Sequence, residues 1–131
     1  MRELKVMLVE DNPDDVALTK LVLRRSGLDR DLVLAADGRE AVDKMEGLLA
    51  EGAKLPDLIL LDINLPVVGG LELLTRLKQD PRFGRISVVM LTGSNVGDDI
   101  QRSYDLGAST YLVKPISKDA LITVIENLFS G

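Results

Sequence analysis

Residues 58–70 read Leu-Ile-Leu-Leu-Asp-Ile-Asn-Leu-Pro-Val-Val-Gly-Gly. Leu58–Leu61 is an apolar run of strand length with no polar alternation, the pattern of a strand buried on both faces. Asp62 closes that run, and Pro56 sets it off on the other side. A loop containing Val67-Val68-Gly69-Gly70 then leads into an amphipathic stretch, Gly69–Gln79. Strand, loop and helix in that order make one βα unit. A strand covered on both faces belongs in a parallel sheet whose crossovers are helices.

The same unit recurs on either side. Strands are predicted at Lys5–Glu10, Leu32–Ala36, Leu58–Asp62, Ser87–Thr92 and Thr110–Val113, and helices at Pro13–Ser26, Gly38–Ala50, Gly69–Gln79, Val96–Leu106 and Lys118–Phe129. The last helix has the plainest periodicity: Leu121, Val124, Ile125 and Leu128 fall on one stripe. Asn12-Pro13 offers a cap followed by a proline in the first turn, while Gly27 and Gly107 are placed to stop helices. Five successive units with right-handed crossovers leave few topologies. The expected fold is α/β: a doubly wound five-stranded parallel sheet, (βα)5, in the flavodoxin-like order 2-1-3-4-5. Its ligand crevice lies at the carboxyl ends of strands 1 and 3, where the winding reverses.

Composition narrows the chemistry. The 131 residues suit one domain, expected to span 1–131 with no effector domain, since only Ser130 and Gly131 follow the last helix. A net charge of −5 gives a nucleic-acid role no basic stripe to work with. The apolar runs are far short of a membrane span, and no signal peptide is legible, so a cytoplasmic location is expected. With no cysteine and no histidine, thiol chemistry, zinc sites and histidine general-base catalysis have no residues to use. The chain also has no histidine to act as its own phosphohistidine donor.

The carboxyl ends of the strands collect a consistent set: Glu10-Asp11, Asp62, Thr92 and Lys114-Pro115. Two carboxylates about 4 Å apart repel by roughly 4 kcal/mol at an effective dielectric near 20. Three in one crevice therefore call for a cation or a retained proton. An all-oxygen donor set suits Mg²⁺, which favours phosphate co-ligands. The same set reads as a phosphoryl-transfer site. An aspartate carboxylate can act as nucleophile, a lysine can screen phosphoryl oxygens, and Thr92 with loop amides can donate hydrogen bonds.

The strings MLVEDNPDD (7–15), LILLDINLPVVGG (58–70), VVMLTGS (88–94) and GASTYLVKP (107–115) resemble the receiver domains of two-component response regulators (the CheY-like superfamily) over essentially the whole chain. The spacing agrees, with Thr92 30 residues after Asp62 and Lys114 22 residues after Thr92. The resemblance implies Asp62 as phosphoacceptor and Asp11 and Asp62 as metal-binding carboxylates. It makes Glu10 the second acidic position, often acting through water, and gives the backbone carbonyl of Asn64 the completion of the metal shell. It also implies Thr92 as switch hydroxyl, Tyr111 as switch aromatic, and Lys114 before a Pro115 that is cis in the family. Phosphoryl would come from the phosphohistidine of a sensor kinase or a histidine phosphotransfer protein. The output would be a changed protein-binding surface on helix 4, strand 5 and helix 5, which could also support a homodimer. The segments LKQDPRFGRI (77–86) and YDLGASTYLVKP (104–115) look most like stand-alone receivers that pair with sensor kinases, phytochrome-type ones included.

There are departures and bland alternatives. Gly69 stands where the family usually has an acidic or polar residue, which makes that loop more apolar. Ser87 replaces a common proline. Asp14-Asp15 and Asp98-Asp99 read as first-turn acids favoured by the helix dipole, so they are not counted as ligands, and Tyr104 reads as a surface residue. An FMN carrier shares the strand order, but an anionic first loop, Glu10–Asp15, would repel a phosphate. A phosphatase with an aspartate nucleophile would want an acid two residues beyond Asp62, where Asn64 stands. Its own acyl phosphate is expected to be hydrolysed, without turnover of external substrates. A phosphorylation-independent scaffold is the remaining reading.

Overall fold

The computed structural model describes residues 3–93 and 97–129. Five units alternate along the chain: β1 (Val6–Val9), α1 (Pro13–Arg25), β2 (Val33–Ala35), α2 (Gly38–Ala50), β3 (Leu58–Asp62), α3 (Gly70–Gln79), β4 (Ser87–Thr92), α4 (Asp98–Asp105), β5 (Thr110–Val113) and α5 (Lys118–Phe129). The strands form one parallel sheet in the order β2-β1-β3-β4-β5, as expected. Element ends shift by one or two residues. Asn12 caps α1 by accepting from the Asp14 and Asp15 amides, and Gly69 caps α3 instead of opening it. Helix α4 begins at Asp98 behind Gly97, whose φ of 117° suits glycine alone; Val96, expected to open this helix, lies outside the described residues, as do Ser130 and Gly131. The Lys114–Pro115 peptide is cis.

Every residue of β1 and β3 is buried. The period of two along each strand splits them between two cores. Val6, Leu8, Leu58, Leu60, Val89, Leu91 and Leu112 face one side, where Leu23 of α1 and Leu121 and Ile125 of α5 meet them, with Val124 and Leu128 packed alongside. Met7, Val9, Ile59, Leu61, Val88 and Met90 face the other, against Ala41 and Met45 of α2 and Leu73, Leu74 and Leu77 of α3. At about 2 kcal/mol for each fully buried aliphatic side chain, this double burial fixes the sheet and so fixes where its carboxyl ends emerge.

The loop from β3 to α3 turns back tightly on the end of the strand. The Gly70 amide donates to the Ile63 carbonyl at 2.9 Å, and a Cβ at Gly70 would lie 2.2 Å from the Asp62 carbonyl oxygen. Gly70 is therefore required by backbone approach, whereas Gly69 has open space around it. Between them and the strand, Val67 is 96% exposed with φ at 63°, an unusual conformation for a β-branched residue. Gly70→Ala should cost about 2–3 kcal/mol or more in thermal or denaturant unfolding. Gly69→Ala should stay within about 1 kcal/mol of the parent. Equal behaviour of the two variants would refute the close approach.

Candidate functional site

The crevice opens where β1 and β3 end. Backbone direction delivers the first two acids there: the Glu10 amide still donates to the Ala35 carbonyl at 3.0 Å, so the chain leaves the sheet only after it. The Asn12 cap then holds the following loop. Glu10, Asp11 and Asp62 each present a carboxylate oxygen, and these atoms lie within 4.8 Å of one another. Glu10 and Asp62 are buried and Asp11 is exposed. Glu10 Oε1 accepts from the Asn12 amide at 3.1 Å, and Asp62 Oδ1 accepts from the Asn64 amide at 3.0 Å. Thr92 is buried at the end of β4, and its carbonyl accepts from the Lys114 amide at 2.7 Å.

Lys114 brings the cation. Its Nζ donates to Asp15 Oδ2 at 2.9 Å and Glu10 Oε2 at 3.1 Å, and lies 3.4 Å from Asp62 Oδ2. Burial alone would pull the ammonium pKa down. Hydrogen bonds to Asp15 and Glu10, and the charges of Asp62 and Glu10, outweigh burial and hold it well above the ordinary lysine value. Burial pushes the Glu10 carboxyl up to about 7, and the neighbouring Asp62 adds to that rise against the opposing pull of the Asn12 amide and Lys114. One ammonium thus faces more carboxylate charge than it can balance. A hard divalent cation fits the remainder, because every donor in the group is a carboxylate oxygen.

The expected residues Glu10, Asp11, Asp62 and Lys114 converge, and Thr92 stands on the neighbouring strand end. Tyr111 does not join them directly. It is half-buried against the α2–α3 core and meets Tyr104 edge-on, ring centroids 6.3 Å apart. Tyr104 is 44% exposed, in keeping with a surface role, and its hydroxyl lies 3.1 Å from Thr110 Oγ1. Asp98 and Asp99 occupy the first turn of α4 as expected. Asp15 was missed as a site residue. It does lie in the first turn of α1, but its carboxylate also reaches Lys114. Its position carried no separate signal, because an acid in the first turn is already explained by the helix dipole.

Known proteins resemble this chain over nearly its whole length. The response regulator receiver domain model matches residues 6–126. Response regulator Rcp1 of Synechocystis is 38% identical over 127 residues, covering 95% of this chain and 86% of Rcp1. The bacteriophytochrome response regulator AtBRR superposes with a TM-score of 0.85 at 37% identity, over 98% of this chain and 94% of AtBRR. The phosphorylated cyanobacterial phytochrome response regulator RcpA gives 0.77 at 38% identity, over 97% and 91% of the two chains. Rcp1 has also been solved in a Mn²⁺-bound form, with a TM-score of 0.75 at 38% identity over 96% of this chain and 94% of Rcp1.

The raised Glu10 value carries a pH dependence of stability. A carboxyl that holds its proton more tightly when folded stabilises the fold fully below its ordinary 4.5, and that contribution is lost as pH rises through about 7. Metal-free protein should therefore lose stability on the order of 3 kcal/mol between those limits. Saturating Mg²⁺, which favours the ionised carboxylates, should flatten the trend. Thermal melts across this range with and without Mg²⁺ measure it; a metal-free profile that rises through the window would refute the crowded-carboxylate account.

Proposed function

We propose, from the premise that this chain belongs to the response regulator receiver domain family, that Asp62 is the residue on which it accepts a phosphoryl group. A receiver domain takes phosphoryl within a two-component system, and members of the family are signalling regulators, not enzymes that turn over external substrates. The observation that carries the residue assignment is the convergence at the sheet's carboxyl edge. Asp62 lies within 4.8 Å, oxygen to oxygen, of two further acids and 3.4 Å from Lys114 Nζ.

Glu10, Asp11 and Asp62 would hold Mg²⁺, with the Asn64 backbone carbonyl completing the shell; the Mn²⁺-bound Rcp1 and phosphorylated RcpA support this by analogy. Bound there, the ion would neutralise charge on the transferring phosphoryl oxygens. An Asp62 carboxylate oxygen attacks phosphorus, the P–O bond forms, and the P–N bond to the donor's imidazole breaks with its electron pair leaving on nitrogen. The Asn64 amide holds one Asp62 oxygen and so fixes the carboxylate plane. Lys114 screens the charge added at Asp62, and the Thr92 hydroxyl turns toward the new oxygens.

The second half of the reading is a switch. Thr92 shares its side of the sheet with Met90, the register partner of Tyr111, so movement of Thr92 opens space on the side where Tyr111 packs. Tyr111 then turns inward and leaves Tyr104, and the surface of α4, β5 and α5 changes. Two states separated by a few kcal/mol are enough for this. Tyr104 and Val113 already expose apolar surface on that face, which suits a downstream protein or a second copy of this chain. A phosphohistidine donor of a sensor kinase or phosphotransfer protein, a cytoplasmic setting, and hydrolysis of the protein's own acyl phosphate belong to the same reading. Among the described residues no helix is long and apolar enough to cross a membrane.

Intact-mass spectrometry after incubation with Mg²⁺ and acetyl phosphate should show one added phosphoryl unit, removable by hydroxylamine. Asp62→Asn should show none, and Lys114→Ala should show a loss of about tenfold or more in occupancy. Phosphoryl uptake by Asp62→Asn would place the acceptor elsewhere. Thr92→Ala should still be modified but should leave the Tyr111 ring signals in an NMR spectrum unmoved by phosphorylation.

A further inference from the structure

We propose that Asp15 is a positioning residue that holds the Lys114 ammonium back from Asp62 in the resting site and releases it when Asp62 is phosphorylated. The inference rests on the reading of Asp62 as phosphoacceptor and adds a regulator to it. An ammonium has three N–H donors. Hydrogen bonds run from Lys114 Nζ to Asp15 at 2.9 Å and to Glu10 at 3.1 Å. The Asp62 oxygen stands off at 3.4 Å, in ion-pair range only. The lysine that must serve the phosphoryl group is thus drawn toward the α1 side of the crevice before the group arrives.

The three carboxylates differ in what they lose on letting go. The Glu10 side chain is wholly buried, so freed from Lys114 it could not be rehydrated. The Asp15 side chain is 30% exposed, and water can take over its charge. Phosphorylation replaces the singly charged Asp62 carboxylate with an acyl phosphate carrying up to two negative charges, spread over outward-facing oxygens. Lys114 then moves toward the stronger pole, and Asp15 is the partner it leaves. The contact made by Asp15 stabilises the unmodified state alone, so it sets the balance between the two forms.

Asp14 supplies the control. It carries the same charge one residue away in the same helical turn, it is exposed, and its amide donates to the same cap. At limiting acetyl phosphate and saturating Mg²⁺, Asp15→Asn should raise the steady-state ratio of phosphorylated to unmodified protein about fivefold, the range of a partly exposed charged hydrogen bond. Asp14→Asn should leave the ratio at the parent value, and Asp15→Glu should restore it. Mg²⁺ affinity without phosphodonor, followed by NMR titration, should be the same in the two Asn variants. Equal ratios in Asp15→Asn and Asp14→Asn, or a lower ratio in Asp15→Asn than in the parent, would overturn the proposal. A selective loss of Mg²⁺ affinity in Asp15→Asn would also overturn it, by making Asp15 a metal ligand. Absence of phosphoryl from the parent chain would instead overturn the Asp62 reading beneath it.

Discussion

Negative charge crowded at the mouth of a parallel sheet is the condition that the rest of the molecule is arranged around. Glu10 and Asp62 are buried at the ends of adjacent strands, and the strand register gives them no freedom to separate. Among the described residues a single ammonium answers them, and its contacts reach Glu10, Asp62 and Asp15. The remaining imbalance appears as a Glu10 carboxyl pushed up toward neutrality by burial and by Asp62. Such a site is poised: it gains from a proton or a divalent cation.

What keeps the charges together is apolar. The two cores grip the sheet from opposite sides. Repulsion at the carboxyl edge, a few kcal/mol for each close pair, is opposed by more than two dozen buried hydrophobic side chains. The tight return of the chain at Gly70 adds a local constraint, since its amide and the Ile63 carbonyl clamp the loop onto the end of β3.

Much of this was legible in the sequence because it depends on period and punctuation. Uninterrupted apolar runs at Leu58–Leu61 and Val88–Leu91 announced a sheet buried on both faces, and β3, β4, β5, α2 and α5 fall on their expected residues. The winding rule then located the crevice before any motif was considered. Two features were harder to read. Asp15 satisfies a helix dipole as well as it satisfies Lys114, and sequence alone does not say which lysine a first-turn acid will meet 99 positions further along. The sequence reading singled out Gly69 as the departure in its loop, although it is Gly70 that is held by backbone contact, a distinction that exists only once the chain has folded back.

The division of the interior into two cores has a mechanical side. Along β5, Tyr111 points into the α2–α3 layer while Leu112 points into the α1–α5 layer, and the sheet between them acts as a bulkhead. A change of packing at Tyr111 meets the α2–α3 layer first, whereas Leu23, Leu121 and Ile125 lie across the sheet from it. Each wall of the hull is thus built from its own helices, and the sheet is the one member they share.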